Sequence, residues 1–266
     1  MREAFALIRA SWLSATSYRL ALLLSLGSLA AAVVPVYFVA NAIQPVIADS
    51  IRSQGGEYFA FLIVGMIAFS FLSTAVSALP GAVGGGIGSG TLEALFSTRA
   101  SVASLVSGMI GYGFLWTAAR ALILILTAML FGADFAWTKA FTAGAILLLI
   151  VFAYLPFGLI SAAMVLAFRT SGPIPRGVMV LSGLLGGVYY PTKVIPSWIQ
   201  NVSEVVPLTY GLRALRQTLL EGMPLQAVAH DVSILVGFVI LLSAVGVWAF
   251  ARALRYAKHA GNLSQY

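Results

Sequence analysis

The sequence contains no cysteine, two histidines and only eight acidic residues among 266. Without cysteine there is no disulfide framework and no thiolate chemistry. His230 and His259 stand far apart in the chain, and neither has a nearby set of ligands of the kind zinc requires. Charged residues of either sign make up 9% of the chain, against roughly 25% in an average soluble domain. Water is therefore not the main solvent of this protein. Paired carboxylates for acid–base chemistry are missing from the apolar runs, and Glu204 and Glu221 fall in polar connections, so no catalytic residues are assigned. What fills the space is hydrophobic, at 61% of residues. The net charge of +7 would suit a nucleic-acid partner, but the fifteen Lys and Arg are scattered between apolar runs. That is the distribution the positive-inside rule describes for a membrane protein. Membrane lipid is the expected surrounding, with no nucleic acid and no metal. Arg2, Arg9 and Arg19 run through the whole of Met1 to Arg19, so no cleavable signal peptide is expected.

Residues 1–19 read as an amphipathic interfacial helix, with Phe5, Ile8, Trp12 and Leu13 near one side and Arg2, Glu3 and Arg9 polar. Six spans are then predicted: Leu20 to Ala40, Tyr58 to Leu79, Ala103 to Phe131, Ala140 to Phe168, Gly177 to Tyr190 and Val232 to Phe250. The first is uncharged over 21 residues, and a spanning helix needs about 20. Asn41 to Glu57 reads as a polar loop. The fifth span is short, about 21 Å at 1.5 Å per residue, against a hydrocarbon core of about 30 Å. Pro191 and Pro196 interrupt the chain after it. Ser197 to Val206 and Thr209 to Leu220 read as two short amphipathic helices around Pro207, the second with Leu212, Leu215 and Leu219 opposite Arg213 and Arg216. Irregular backbone at membrane depth must be covered by protein or water, so 191–220 is predicted to dip partway back into the outer leaflet. Six spans put both termini on one side. Placing the termini in the cytoplasm leaves nine basic residues inside (Arg2, Arg9, Arg19, Arg99, Arg169, Arg176, Arg252, Arg255, Lys258) and five outside (Arg52, Lys139, Lys193, Arg213, Arg216), which supports that orientation.

Between the second and third spans lies GAVGGGIGSGTLEALFSTRAS, Gly81 to Ser101. Its six glycines read as a supple approach to a helix of about two turns over Thr91 to Arg99. Leu92, Leu95 and Phe96 share one face, with Glu93 in the first turn and Arg99 in the last, matched to the helix dipole. A phosphate-binding loop would need a strand before it and a lysine after it, and neither is present. A flexible connection is the plainer reading, but it has little use for an apolar face with matched ends.

Other residues carry two readings each. Arg120 falls within the third span, a costly place for a guanidinium. It is either a polar contact in a conduit or helix junction, or an arginine snorkelling to headgroups. Ser182, Gly183, Gly186 and Gly187 give the fifth span a small-residue face, for packing within one subunit or for a dimer seam. Tyr189, Tyr190, Trp198 and Tyr210 suit interfacial anchoring, or stacking on sugars.

Gly90-Thr91-Leu92-Glu93-Ala94-Leu95 with Thr98-Arg99, just after the second of six spans, resembles the permeases of type-2 ABC exporters. So do Gly187-Val188-Tyr189-Tyr190-Pro191, Ile195-Pro196-Ser197-Trp198 and Val206-Pro207-Leu208-Thr209-Tyr210 with Arg213. Many relatives have proline where Arg99 stands. The resemblance spans essentially the whole chain and implies a single all-α transmembrane domain over 1–266. It implies a cytoplasmic coupling segment at 81–102, with Gly90, Thr91, Leu92, Glu93, Leu95, Phe96 and Arg99 meeting an ATPase subunit. External re-entrant helices are implied at 191–220, marked by Pro196, Trp198, Pro207 and Arg213. Arg120, Tyr189, Tyr190 and Pro191 are candidates for the translocation path or a helix junction. The implied assembly is a homodimer with two ATPase copies in a bacterial cell membrane, with ATP and Mg on the ATPase and no cofactor on this chain. An amphipathic drug, lipid or lipid-linked glycan would be exported. A gradient-driven secondary transporter and a membrane-embedded lipid-modifying enzyme are the alternatives.

Overall fold

The computed structural model describes residues 17–91, 102–168 and 173–259, together with Arg9, Trp12 and Leu13. Most of the predicted 1–19 helix, the run from Leu92 to Arg99 and the connection 169–172 lie outside the described residues. The described residues form helices and no strands. In chain order they are α1 (Arg19–Ile51), α2 (Tyr58–Gly88), α3 (Val102–Leu130), α4 (Ala140–Phe168), α5 (Ile174–Leu185), α6 (Ser197–Ser203), α7 (Pro207–Leu220) and α8 (Ala229–His259), with short 3₁₀ turns at Arg52–Gln54, Trp137–Lys139 and Thr192–Val194. Among the described residues five segments are long and apolar enough to cross a membrane: Leu23–Gln54, Tyr58–Gly88, Ser104–Leu130, Trp137–Val165 and Ala229–Arg252. The predicted fifth span is the 12-residue helix α5, apolar but too short to count with them.

α4 is the central element, packing against α2, α8, α7 and α5. Two glycines let it approach its neighbours closely. A β-carbon at Gly158 would overlap the Ala75 carbonyl on α2, and one at Gly246 on α8 would lie 2.6 Å from the Pro156 Cβ. The main core joins α1, α2, α4 and α7 through residues such as Val33, Phe59, Ile146, Ile150 and Leu212. A smaller cluster at the far end of α2 joins Leu79 and Val83 to Ala162 and Val165, with Val106 and Phe250 packed on it. The long helices run between these two ends.

Several predicted boundaries move. The last span runs from Ala229 to His259 rather than from Val232 to Phe250, and α5 begins at Ile174 and ends at Leu185 rather than running from Gly177 to Tyr190. α1 does not stop at Ala40 but runs 33 residues to Ile51, because Val33, Ala40, Ile47 and Ile51 keep one buried stripe through the predicted loop. Within that stretch Gln44 accepts from the Tyr58 amide through Oε1 (2.7 Å) and donates to the Gly56 carbonyl through Nε2 (2.8 Å), tying the two helices at their turn. The glycine-rich stretch is not a supple approach either. α2 continues through Gly81, Gly84, Gly85 and Gly86 to Gly88, 31 residues or about 46 Å at 1.5 Å per residue. Glycine costs a helix interior about 1 kcal/mol relative to alanine. The buried Val83, and Gly84, whose added β-carbon would lie 3.9 Å from Val165, face that end of α4 and supply packing that outweighs it.

The small-residue face of α5 packs inside the chain. Ser182 shares a 2.9 Å hydrogen bond with the buried Tyr154 hydroxyl on α4. A β-carbon at Gly183 would sit 3.2 Å from the Phe69 ring on α2, and one at Gly186 would sit 2.8 Å from Leu208 on α7.

Candidate functional site

Two regions at opposite ends of α2 hold the residues singled out by the sequence, Arg120 excepted. At the far end, Gly90 takes the left-handed conformation (φ 68°) that ends a helix. The Gly90 amide donates to the Ile87 carbonyl (3.2 Å), and the Ser89 and Thr91 hydroxyls share a hydrogen bond of 2.8 Å. Gly90 and Thr91 are exposed. Leu92, Glu93, Leu95, Phe96 and Arg99 lie outside the described residues.

At the other end, three connections and helices α6 and α7 gather into a cap. The chain leaves α5 through Gly186 and Gly187, the latter at φ 77°, and turns back over Tyr189, Tyr190 and Pro191. Pro191 is buried and opens the 192–194 turn, while Tyr189 is exposed. The Tyr58 hydroxyl donates to the Tyr189 carbonyl (2.7 Å) and the Tyr190 hydroxyl to the Leu184 carbonyl. Pro196 caps α6, whose Trp198 and Val202 point outward. Pro207 stands in the first turn of α7, where its missing amide hydrogen costs nothing. Between α6 and α7 the Thr209 hydroxyl donates to the Ser203 carbonyl (2.7 Å), and the Ser203 hydroxyl to the Leu185 carbonyl (2.6 Å). The Ala136 amide donates to the Leu219 carbonyl (2.7 Å) and the Gly55 amide to Glu221 (2.9 Å), so the other two connections are fastened to the end of α7.

Arg213 and Arg216 do not both lie on the polar side of α7. Arg213, half-buried, pairs with Asp231 of α8 at 3.1 Å and stands over the Tyr210 ring. Arg216 is 2% exposed, the largest of the fully buried side chains. At 100° per residue it falls only about 40° from Leu212, on the buried face. Its Nε and Nη2 both donate to the Phe61 carbonyl (3.2 and 3.1 Å), Nη2 also to the Val188 carbonyl (3.0 Å), and Nη1 to the Gly187 carbonyl (2.8 Å) and Gln54 Oε1 (3.4 Å). The guanidinium lies over the Phe61 ring at 3.3 Å from its centroid. All five donors are used, and the acceptors come from α2, the turn after α5 and the first connection. Leucine periodicity misses this residue; its angular distance from Leu212 is the signal that could have found it. A small polar cavity beside it is lined by Gln54, Thr192, Thr209 and Arg213.

Arg120 joins none of this. It is exposed on α3, which packs chiefly on α2 and α1, and it has no hydrogen bond or ion pair among the described residues. The structure thus brings Tyr189, Tyr190, Pro191, Pro207 and Arg213 into one cap and leaves Arg120 outside it.

A sequence model of the family described as ABC-2 type transporter matches residues 5–220 of the chain, from before α1 to the end of α7. No match was found among curated proteins.

Proposed function

Since the chain belongs to the ABC-2 type transporter family and is a permease subunit of that family, embedded in a membrane through several apolar helices, we propose that it exports an amphipathic substrate using ATP hydrolysed on a separate ATPase. Two copies of the permease would pair, each with one ATPase copy, and ATP with Mg would be held on those partners. Leu92, Leu95 and Phe96 would bury against the ATPase, with Glu93 fixing the helix start or that contact and Arg99 closing it. The observation that carries this reading is the match over 5–220, which takes in the 81–102 segment and the cap alike. The continuity of α2 supports it: a force applied beside Thr91 acts on one end of a helix whose other end underlies the cap.

In this reading the cap faces the exterior, α6 and α7 dip back into the outer leaflet, and both termini are cytoplasmic in a bacterial cell membrane. With Arg216 held inside the cap, only Arg52, Lys139, Lys193 and Arg213 remain as outside charges against the nine inside, which sharpens the asymmetry. The substrate is a drug, lipid or lipid-linked glycan, leaving past Tyr189, Tyr190 and Trp198. Glu93→Arg or Leu95→Asp should abolish stimulation of the ATPase while membrane insertion is unchanged. Normal export and stimulation by those variants would remove the docking assignment.

A further inference from the structure

We propose that Arg216 is a positioning residue that makes the first turn of α2 and the cap one mechanical body, so that displacement of α2 at its Thr91 end is delivered to the turn after α5 and to α7. This rests on the permease reading for the source of the displacement.

The guanidinium is fully buried, and no carboxylate lies within ion-pairing distance of it among the described residues. Its charge is met by carbonyl dipoles from Phe61, Gly187, Val188 and Gln54 and by the face of the Phe61 ring. Burying a charge is costly, and an apolar side chain of similar volume often serves stability as well or better. What an apolar side chain lacks is direction. The planar fork fixes three elements at set angles to one another, which a lysine with one point charge does not do. Gly65 supports the same contact from α2. A β-carbon there would overlap the Val188 carbonyl oxygen and stand 2.7 Å from Arg216 Nη2. The two elements therefore meet backbone to backbone, with little soft side-chain material between them to absorb motion. Beyond this contact α2 is one helix to Gly88.

The natural lack of cysteine allows spin labels to be placed without background. The full permease would be assembled with its ATPase in lipid nanodiscs and measured without nucleotide and with ATP trapped by a hydrolysis-deficient ATPase. One pair, Gly85→Cys with Val202→Cys, spans the far end of α2 and α6. A second, Gly85→Cys with Val247→Cys, spans α2 and α8. All three positions are exposed, and a β-carbon at Gly85 meets nothing within 4 Å. With Arg216 present, ATP should shift the α2–α8 distance and leave the α2–α6 distance unchanged. In Arg216→Lys the α2–α8 shift should persist while the α2–α6 distance shifts or broadens, at an ATPase stimulation equal to that of the parent. A purely stabilising role would lower the unfolding temperature without separating the two pairs. Should Arg216→Lys not insert, Phe61→Leu removes the ring under the cation and keeps the carbonyls, and the same separation is expected in smaller amount. The inference is overturned if the α2–α6 distance already moves in the parent, if the α2–α8 distance does not, or if both pairs behave alike in the variants. Those results leave the permease reading standing. If no ATPase binds the permease, that reading fails and the joint falls with it.

Discussion

The Val188 carbonyl oxygen occupies the space that a β-carbon on Gly65 would fill, and Arg216 Nη2, which donates to that oxygen, would stand 2.7 Å from the same β-carbon. Gly65→Ala therefore overfills a contact between backbone and a held guanidinium, where nothing nearby is free to turn away. Overpacking of this kind costs typically about 1–3 kcal/mol, and the upper part of that range is expected here. By contrast, Gly85→Ala adds a methyl into open space on a helix and should leave stability unchanged or raise it by up to about 1 kcal/mol. Thermal unfolding of both variants in the same detergent checks the pair. Equal effects would mean that the two glycines are not distinguished by packing.

Arg213 and Asp231 make an unequal pair. Asp231 is 6% exposed, while the arginine keeps a path to solvent. Removing the arginine strands a buried acid. Removing the acid leaves a cation that can reach water and the Tyr210 ring. Arg213→Ala should thus cost more than Asp231→Asn, by about 1–2 kcal/mol on the scale of an uncompensated buried polar group. Denaturant midpoints of the two single variants would show the order, and the reverse order would mean that Asp231 is solvated in the folded chain.

Glu57 ends the first connection just before α2. Burial pushes its carboxyl pKa up, and the Asp134 carboxylate adds to that. An acid whose pKa is raised on folding binds more protons folded than unfolded between its ordinary and its raised value, so stability falls as pH rises through that window. Glu57→Gln removes the ionisation. It should be more stable than the parent at neutral pH, and the difference should shrink as pH falls toward the ordinary carboxylate range. Unfolding temperature followed against pH for both proteins tests this; a gap that widens toward acid would reverse the sign.

Length and hydropathy make most of the helices legible in the sequence. Ala140–Phe168 has the predicted bounds, and α3 is within a residue of them. Where the sequence misleads, a local preference loses to packing. Asn41, Gln44 and Asp49 look like a loop because they are polar, yet the Ala40, Ile47 and Ile51 stripe holds them in α1. The glycines after Leu79 look loose because glycine is intrinsically so, but α4 lies against the Val83 and Gly84 side of the same stretch, while Gly81, Gly85 and Gly88 face open space. Arg216 looks solvated because it is charged. No periodicity reports that carbonyls from Phe61 and Gly187, distant in sequence, converge on one point. The prolines at 191, 196 and 207 are legible as breaks, since a ring that fixes φ and removes a donor acts locally.

Arg120 separates the two roles a charge within an apolar helix can have. It is exposed on α3 and makes no hydrogen bond or ion pair among the described residues, so folding of the single chain gains nothing visible from it. A cation facing lipid is unfavourable, and Arg120→Leu should leave the unfolding temperature of the isolated permease unchanged or raise it. If the arginine only snorkels to headgroups, export in the assembled transporter should also be unchanged. If it faces a conduit between two copies, export should fall while binding and basal turnover of the ATPase persist. The second outcome is expected, because Arg120 lies well inside the Val102–Leu130 helix. Its nearer end is about 15 Å away at 1.5 Å per residue, farther than the side chain reaches. Parallel measurement of unfolding temperature and export in Arg120→Leu and Arg120→Lys decides it. Retained export in both variants would assign Arg120 to the lipid interface.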